Sequence, residues 1–184
     1  MKKIIKTLLL ASFMIAFGCK QNSESKAETT TGDVSTQDTE QIAVVDDESR
    51  PNIVQVASGS KDHSTLVTAV KAAGLVDALS SIGPFTVFAP TNAAFDKLPQ
   101  GTVEGLLKPE KKLDLKNILE YHTYIGNLKT EYMQDGQEYE EVNGGKVKIT
   151  KQGDKTFVNG SEIIATIQTS NGLIHVINDV LLPK

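Results

Sequence analysis

An internal disulfide is closed to this chain, because its 184 residues contain one cysteine, Cys19, at the end of an apolar leader. A lone thiol makes no internal bridge and no multi-thiolate zinc site, so a folded part must stand on its core alone. Tryptophan is absent and aromatics make up only 5% of the residues; from Pro51 onward Val, Ile, Leu and Phe recur at regular spacing. A basic surplus is missing as well. The formal net charge is -4, and an acidic chain without a basic stripe is poorly equipped to neutralise phosphates, so nucleic acid is excluded as a partner.

The residue patterns of common catalytic and metal centres are also wanting. There is no glycine-rich nucleotide loop and no His pair at metal-ligand spacing. Asp62-His63-Ser64 contains triad residue types, but three adjacent residues cannot adopt triad geometry by themselves. Asp135, Glu138, Glu140 and Glu141 lack the alternating ligand spacing of a calcium loop and read as a solvated acidic edge. Asn159-Gly160-Ser161 formally matches a glycosylation acceptor and reads as a turn. The expectation is a protein that is not an enzyme, with no cofactor and no metal.

What is present divides the chain in three. Lys2, Lys3 and Lys6 precede an almost wholly apolar run from Leu8 to Gly18. At about eleven residues it is too short to span a bilayer and suits a signal-peptide hydrophobic region. Residues 1–18 therefore read as a signal peptide. Gly18-Cys19 at its end resembles the bacterial lipoprotein processing signal, in which the cysteine is lipidated and becomes the new N-terminus. Ala16 and Phe17 depart from that pattern, which usually has Leu and a small residue there. The expected location is the cell envelope, lipid-anchored at the outer membrane and touching membrane through that anchor only, with periplasmic or outward orientation open.

Residues 19–50 read as the lipidated cysteine and an acidic tether. From residue 20 to 50 there are eight acidic residues against Lys20, Lys26 and Arg50, a net of -5. Too little apolar surface is available there to offset the entropy of ordering. A flexible coil of that length spans roughly 30 Å, with a contour limit of about 100 Å.

Residues 51–184 read as the folded domain, with helices first and antiparallel strands after, an α+β arrangement. Asn52 is placed to cap a short helix through Ala57. Asp62 is placed to cap a second helix, with Leu66, Ala69, Val70 and Ala73 on one face until Gly74. Leu75 to Leu79 resumes a short apolar turn. Gly83-Pro84 signals a turn and Phe85 to Ala89 a strand stopped by Pro90. Thr91 suits the cap of a helical turn over Asn92 to Lys97. Leu113 to Glu120 reads as a helix presenting Leu115, Ile118 and Leu119 to the core. Tyr139 to Val142 and Lys146 to Thr150 read as a hairpin about Asn143-Gly144, since Asn-Gly suits tight-turn geometry. Phe157-Val158, Asn159-Gly160 and Ile163 to Gln168 repeat that pattern. Ser170-Asn171-Gly172 turns into Leu173 to Ile177. His175 in this last strand has apolar neighbours on both faces and reads as a hydrogen-bonded core residue.

Three stretches of the domain together carry a family resemblance. They are Gly83-Pro84-Phe85-Thr86-Val87-Phe88-Ala89-Pro90-Thr91-Asn92-Ala93-Ala94-Phe95, Ile118-Leu119-Glu120-Tyr121-His122, and Asn171-Gly172-Leu173-Ile174-His175-Val176-Ile177-Asn178-Asp179-Val180-Leu181-Leu182-Pro183. In this order they resemble the fasciclin-like domain family, over about Asn52 to Pro183. The resemblance implies a wedge or sandwich of small, antiparallel-rich β-sheets with helices packed along one side. It also implies a non-catalytic adhesion or binding module whose partner is a protein or glycan on a cell surface or matrix. The alternative is an envelope lipoprotein that binds a small ligand in a cleft between helices and sheets.

Tyr121 and His122 are the candidate partner-binding residues that the resemblance suggests; the competing reading has them satisfy buried polar groups. Thr91, Asn92, Asn171, Gly172 and His175 are the framework residues of the other two motifs. Some animal members carry an aspartate–isoleucine pair used for integrin contact where Thr166-Ile167 stands here, and the missing carboxylate argues against carrying that binding mode over.

Overall fold

The computed structural model describes residues 50–183. The expected signal peptide, Cys19 and the tether lie outside the described residues. Six α-helices and seven strands are described, in the order α1 (Ile53–Gly59), α2 (Ser64–Ala73), α3 (Val76–Ser80), β1 (Phe85–Pro90), α4 (Asn92–Phe95), α5 (Thr102–Leu106), α6 (Lys112–Tyr121), β2 (Thr123–Ile125), β3 (Glu138–Glu140), β4 (Lys146–Gln152), β5 (Lys155–Val158), β6 (Ser161–Thr169) and β7 (Gly172–Ile177).

The helices begin where polar side chains satisfy their free N–H groups. Asn52 caps α1 in a reciprocal pair with Gln55, each side chain accepting from the other's backbone N–H at 2.9 Å. Asp62 does not cap α2. A 3-10 turn over Lys61–His63 precedes that helix, Ser60 Oγ accepts from the Asp62 N–H at 3.3 Å, and the side chain of the His63 N-cap bonds Ser60 Oγ at 2.8 Å and caps no helical N–H. The capping acceptor comes from a distance instead: Asn92 Oδ1 takes the Thr65 N–H at 3.1 Å. Sequence-local reasoning finds only neighbours, and this cap lies 27 residues away. The helix ends at Gly74, whose left-handed φ of 74° closes it.

Leu66, Ala69, Val70 and Ala73 are buried on the inner face of α2, as their spacing predicts, and pack in one cluster with Leu115 and Leu119 of α6. Ile118 is only half-buried. The short helix α5 and the 3-10 turn over Pro109–Lys111 go beyond the elements that the sequence predicts; neither has a buried residue, so neither leaves a clear apolar period.

The strands run in the order β2-β1-β7-β6-β5-β4-β3. All neighbours are antiparallel except β1 and β7, which pair in parallel from Phe85↔Gly172 to Pro90↔Ile177. Parallel pairing across so long a sequence gap cannot be read from hairpin signals, which report only local reversals. These two central strands are buried on both faces. Val87, Ala89, Ile174 and Val176 face the helices, while Phe88 and Ile177 enter a second cluster with Tyr121, Met133, Val147, Ile149 and Val158. The sheet thus curls over its own second core. Its two ends meet: the Val142 N–H donates to the Thr123 carbonyl at 2.9 Å, and the Tyr124 and Tyr139 rings contact edge to face at 5.6 Å.

The turns follow their chemistry unevenly. Asn159 (φ 48°) and Gly160 (φ 86°) form a two-residue hairpin turn between Val158 and Ser161. Asn143-Gly144 does not: five residues separate Glu140 from Lys146, and only Gly144 has positive φ. A further turn at Gly153-Asp154 joins β4 to a β5 longer than predicted.

Candidate functional site

The three motifs converge where α6 ends against the sheet. Tyr121 is the last residue of α6 and is 3% exposed. Its hydroxyl donates to the Lys146 carbonyl and accepts from Asn159 Nδ2, both at 2.8 Å, tying the helix to β4 and to the β5–β6 turn. Gly145 leaves room for the ring; a Cβ there would approach Tyr121 Cε2 to 2.7 Å.

His122 is 2% exposed, with both ring nitrogens in use. Nδ1 donates to the Ile118 carbonyl at 2.8 Å, and Nε2 accepts from the Leu181 N–H at 3.0 Å. A nitrogen that accepts from a buried N–H cannot carry a proton without losing that bond, so the ring is held neutral. Burial pushes its pKa down to about 4. The His122 carbonyl also accepts from the Phe88 N–H at 2.8 Å, continuing the β1–β2 ladder. Neither Tyr121 nor His122 presents its side chain to a partner in this arrangement.

The framework residues of the other two motifs join distant segments. Thr91 Oγ1 accepts from the Ala94 N–H at the start of α4. Asn92 caps α2 while its Nδ2 donates to the Lys61 carbonyl and Ser64 Oγ. Replacing Asn92 with alanine is expected to cost about 1–2 kcal/mol, read as a lower midpoint in urea with an unchanged slope. Asn171 uses its whole amide: Oδ1 accepts from the Ile53 N–H at 3.0 Å, and Nδ2 donates to the Leu79 and Ser81 carbonyls at 2.9 Å. Gly172 packs so closely on β1 that a Cβ would collide with the Phe85 carbonyl oxygen, and a Cβ on Gly83 would collide with that of Asn171.

His175 is fully buried and stacks on Phe88 at 5.6 Å. Its Nε2 donates to the Leu128 carbonyl at 2.7 Å and its Nδ1 accepts from the Thr166 hydroxyl at 2.8 Å. Burial lowers its pKa, as it does that of His63. All three histidines of the chain are therefore buried.

One acidic residue departs from expectation. Glu141 does not sit on a solvated edge. The Glu141 N–H donates to the Gly145 carbonyl at 2.7 Å, and this loop geometry buries the side chain to 3% exposure, with neither carboxyl oxygen partnered. Burial pushes its pKa up to about 8. Charge in sequence carries no sign of this, since the reversal depends on which way the β3–β4 connection folds. Asp135 instead accepts from the Lys151 N–H. Among the described residues no three His, Cys, Asp or Glu side chains are grouped to hold a metal ion, and no helix is long and apolar enough to cross a membrane.

Two apolar cavities of about 30 Å³ each flank His122. One lies under α1 and α2 among Ile53, Leu66, Val70, Val87 and Ile174; the other lies among Phe95, Leu106, Leu115, Ile118 and Val180.

The profile of the Fasciclin domain matches residues 61–183, which takes in all three motifs. The chain belongs to the fasciclin domain family. Protein sll1483 of Synechocystis is 49% identical over 149 residues, covering 79% of this chain and 82% of that protein. The cell surface glycolipoprotein MPB83 of Mycobacterium bovis is 35% identical over 137 residues, covering 71% of this chain and 60% of that protein. The solved FAS1 domain pair of the insect cell adhesion molecule fasciclin I superposes with a TM-score of 0.62 at 16% identity, over 72% of this chain and 51% of that one. At that identity the likeness shows the fold, and the α+β fasciclin arrangement is the one observed.

Proposed function

We propose that this protein is a non-catalytic adhesion or binding module of the cell envelope, held at the outer membrane by lipid on Cys19. Membership of the fasciclin family carries the reading, with one relative named for the cell surface and lipidation and a fold neighbour named for cell adhesion. The burial of every histidine supports it from a second side, because no imidazole is exposed for acid–base chemistry. The partner is a protein or glycan on a cell surface or matrix, and the lipid is the only contact with membrane.

A small-ligand role finds less support. Each apolar cavity holds about one water at 30 Å³, whereas even a benzene-sized guest needs about 150 Å³. A ligand seated in either of these two cavities would have to part the helices from the sheet.

The testing experiment displays the chain from Cys19 onward at high density on beads and measures adhesion to bacteria, matrix and a glycan panel. Saturable capture by one surface, weak for the free chain and strong for the array, is the expected result. No capture anywhere, together with a melting shift on adding a soluble ligand, would reverse the choice. The anchor is read separately, as acyl mass on Cys19 in the membrane fraction and release of a Cys19→Ala variant.

In this reading Tyr121 and His122 support the fold. His122→Ala leaves the Leu181 N–H unpaired and enlarges two voids, at a cost of about 3–4 kcal/mol. A large fall in melting temperature is expected, with the folded fraction still adherent. Unchanged melting with lost adhesion would make His122 a contact residue.

A further inference from the structure

We infer that the protein self-associates by pairing the open edge of β6 with the same edge of a second copy. The ends of the strand order cover each other, since Val142 bonds to Thr123 and Tyr124 meets Tyr139. The uncovered edge lies in the middle of that order. β6 pairs with β7 as far as Thr169, but with β5 only at Ser161 and Glu162. From Ile163 to Thr169, no other strand pairs with its outer side among the described residues. Every residue from Ile164 to Gln168 is exposed, including Ile164 at 53% and Ile167 at 36%.

Exposed edges in monomers are normally blunted by charge, proline or shortness, because their free N–H and C=O groups template further strands. β3 follows this rule with Glu138 and Glu140 in three residues. Apart from a bulge at its start, the open part of β6 does not: Ile163-Ile164-Ala165-Thr166-Ile167-Gln168-Thr169 has no charge and no proline. Its one irregularity is the bulge between Ile163 and Ala165, beyond which the register is regular to Thr169.

A second copy is the occupant that this edge suits. The chain is acidic, with a formal net charge of -4, and an uncharged strand is where two such molecules meet with least repulsion. An antiparallel pair about a two-fold axis at Thr166 matches the length of both edges by symmetry. It sets Thr166 opposite Thr166, Ala165 opposite Ile167 and Ile164 opposite Gln168, all free of like-charge contact. With the ends of the sheet covered, assembly through β6 stops at two copies. Two such short strands bury less than the roughly 1,000 Å² of a stable interface, so the solution dimer is weak and is strengthened by crowding on a surface. The inference needs only the strand and stands apart from the adhesion reading.

The test is sedimentation velocity of the full chain in mild detergent, across roughly 5 to 500 µM. Wild type is expected to shift from monomer to dimer over this range. The double variant Ile164→Lys/Gln168→Lys sets lysine against lysine in two rows and is expected to weaken the dimer about tenfold or more. An unchanged melting temperature at the lowest concentration establishes that it folds. Mixing it with Ile164→Glu/Gln168→Glu is expected to restore dimers. A wild type that stays monomeric, or a dimer that the lysines leave intact, overturns the proposal. So does strong hydrogen-exchange protection of residues 164–168 in the monomer, which would mean that the chain covers this edge itself.

Discussion

Glu141→Gln is expected to abolish a loss of stability that the wild-type protein suffers between neutral and mildly alkaline pH. The carboxyl is buried without a partner, and its pKa rises from 4.5 to about 8. Above the unfolded value the native state holds a proton that the unfolded chain releases, so stability declines as pH rises and the loss is complete above about 8. The full displacement corresponds to up to about 5 kcal/mol. His122 acts with the opposite sign: its pKa falls from 6.5 to about 4, so its contribution is present above 6.5 and is lost as pH falls through 4. That displacement corresponds to up to about 3 kcal/mol. His63 and His175 shift in the same direction as His122.

Between pH 4.5 and 6.5 the slopes of Glu141 and His122 oppose each other, and only the Glu141 slope continues from 6.5 to 8. Urea melts at intervals from pH 4 to 9 read this directly. The glutamine variant should match wild type to about 1 kcal/mol near pH 5 and exceed it by several near pH 8.5, a gap of roughly 15 °C in melting temperature. Equal alkaline losses in both proteins would place the titrating group elsewhere.

The second large effect is expected from Gly172→Ala, one methyl group at the start of β7. The added carbon collides with the Phe85 carbonyl oxygen, which is backbone and cannot rotate away, and the φ of 155° is one that L residues rarely adopt. Relief requires β1 and β7 to separate where the Phe85 N–H donates to the Asn171 carbonyl at 3.1 Å. These are the strands between the two cores, so the cost is expected to exceed about 4 kcal/mol, a large share of the 5–15 kcal/mol that holds a typical domain. Gly59→Ala is the control. Its Cβ meets nothing within 4 Å at the end of α1, and the change should be neutral or stabilise by up to about 1 kcal/mol. Near-equal effects in thermal melts would refute the collision argument.

Much of the fold was legible because its signals are local. The face of α2 through Leu66, Ala69, Val70 and Ala73, the Asn52 cap, the Asn159-Gly160 turn and the doubly buried strand around His175 each depend on residues within about a turn of one another. The motifs at Phe85–Phe95, Tyr121-His122 and Asn171–Pro183 pointed to the family that the comparisons establish. What the sequence determined by itself was therefore most of the helices and strands, the absence of internal disulfides and a core made chiefly of aliphatic side chains.

Tertiary structure decided what depends on partners far along the chain. It set β1 parallel to β7, brought Asn92 to the start of α2 in place of Asp62, turned Glu141 inward and, among the described residues, left β6 without a second strand partner from Ile163 onward. The physical reason is common to all four. A residue's type states what bonds and burial it can satisfy, but only the closed path of the chain decides which distant groups arrive to satisfy them, and which are left without.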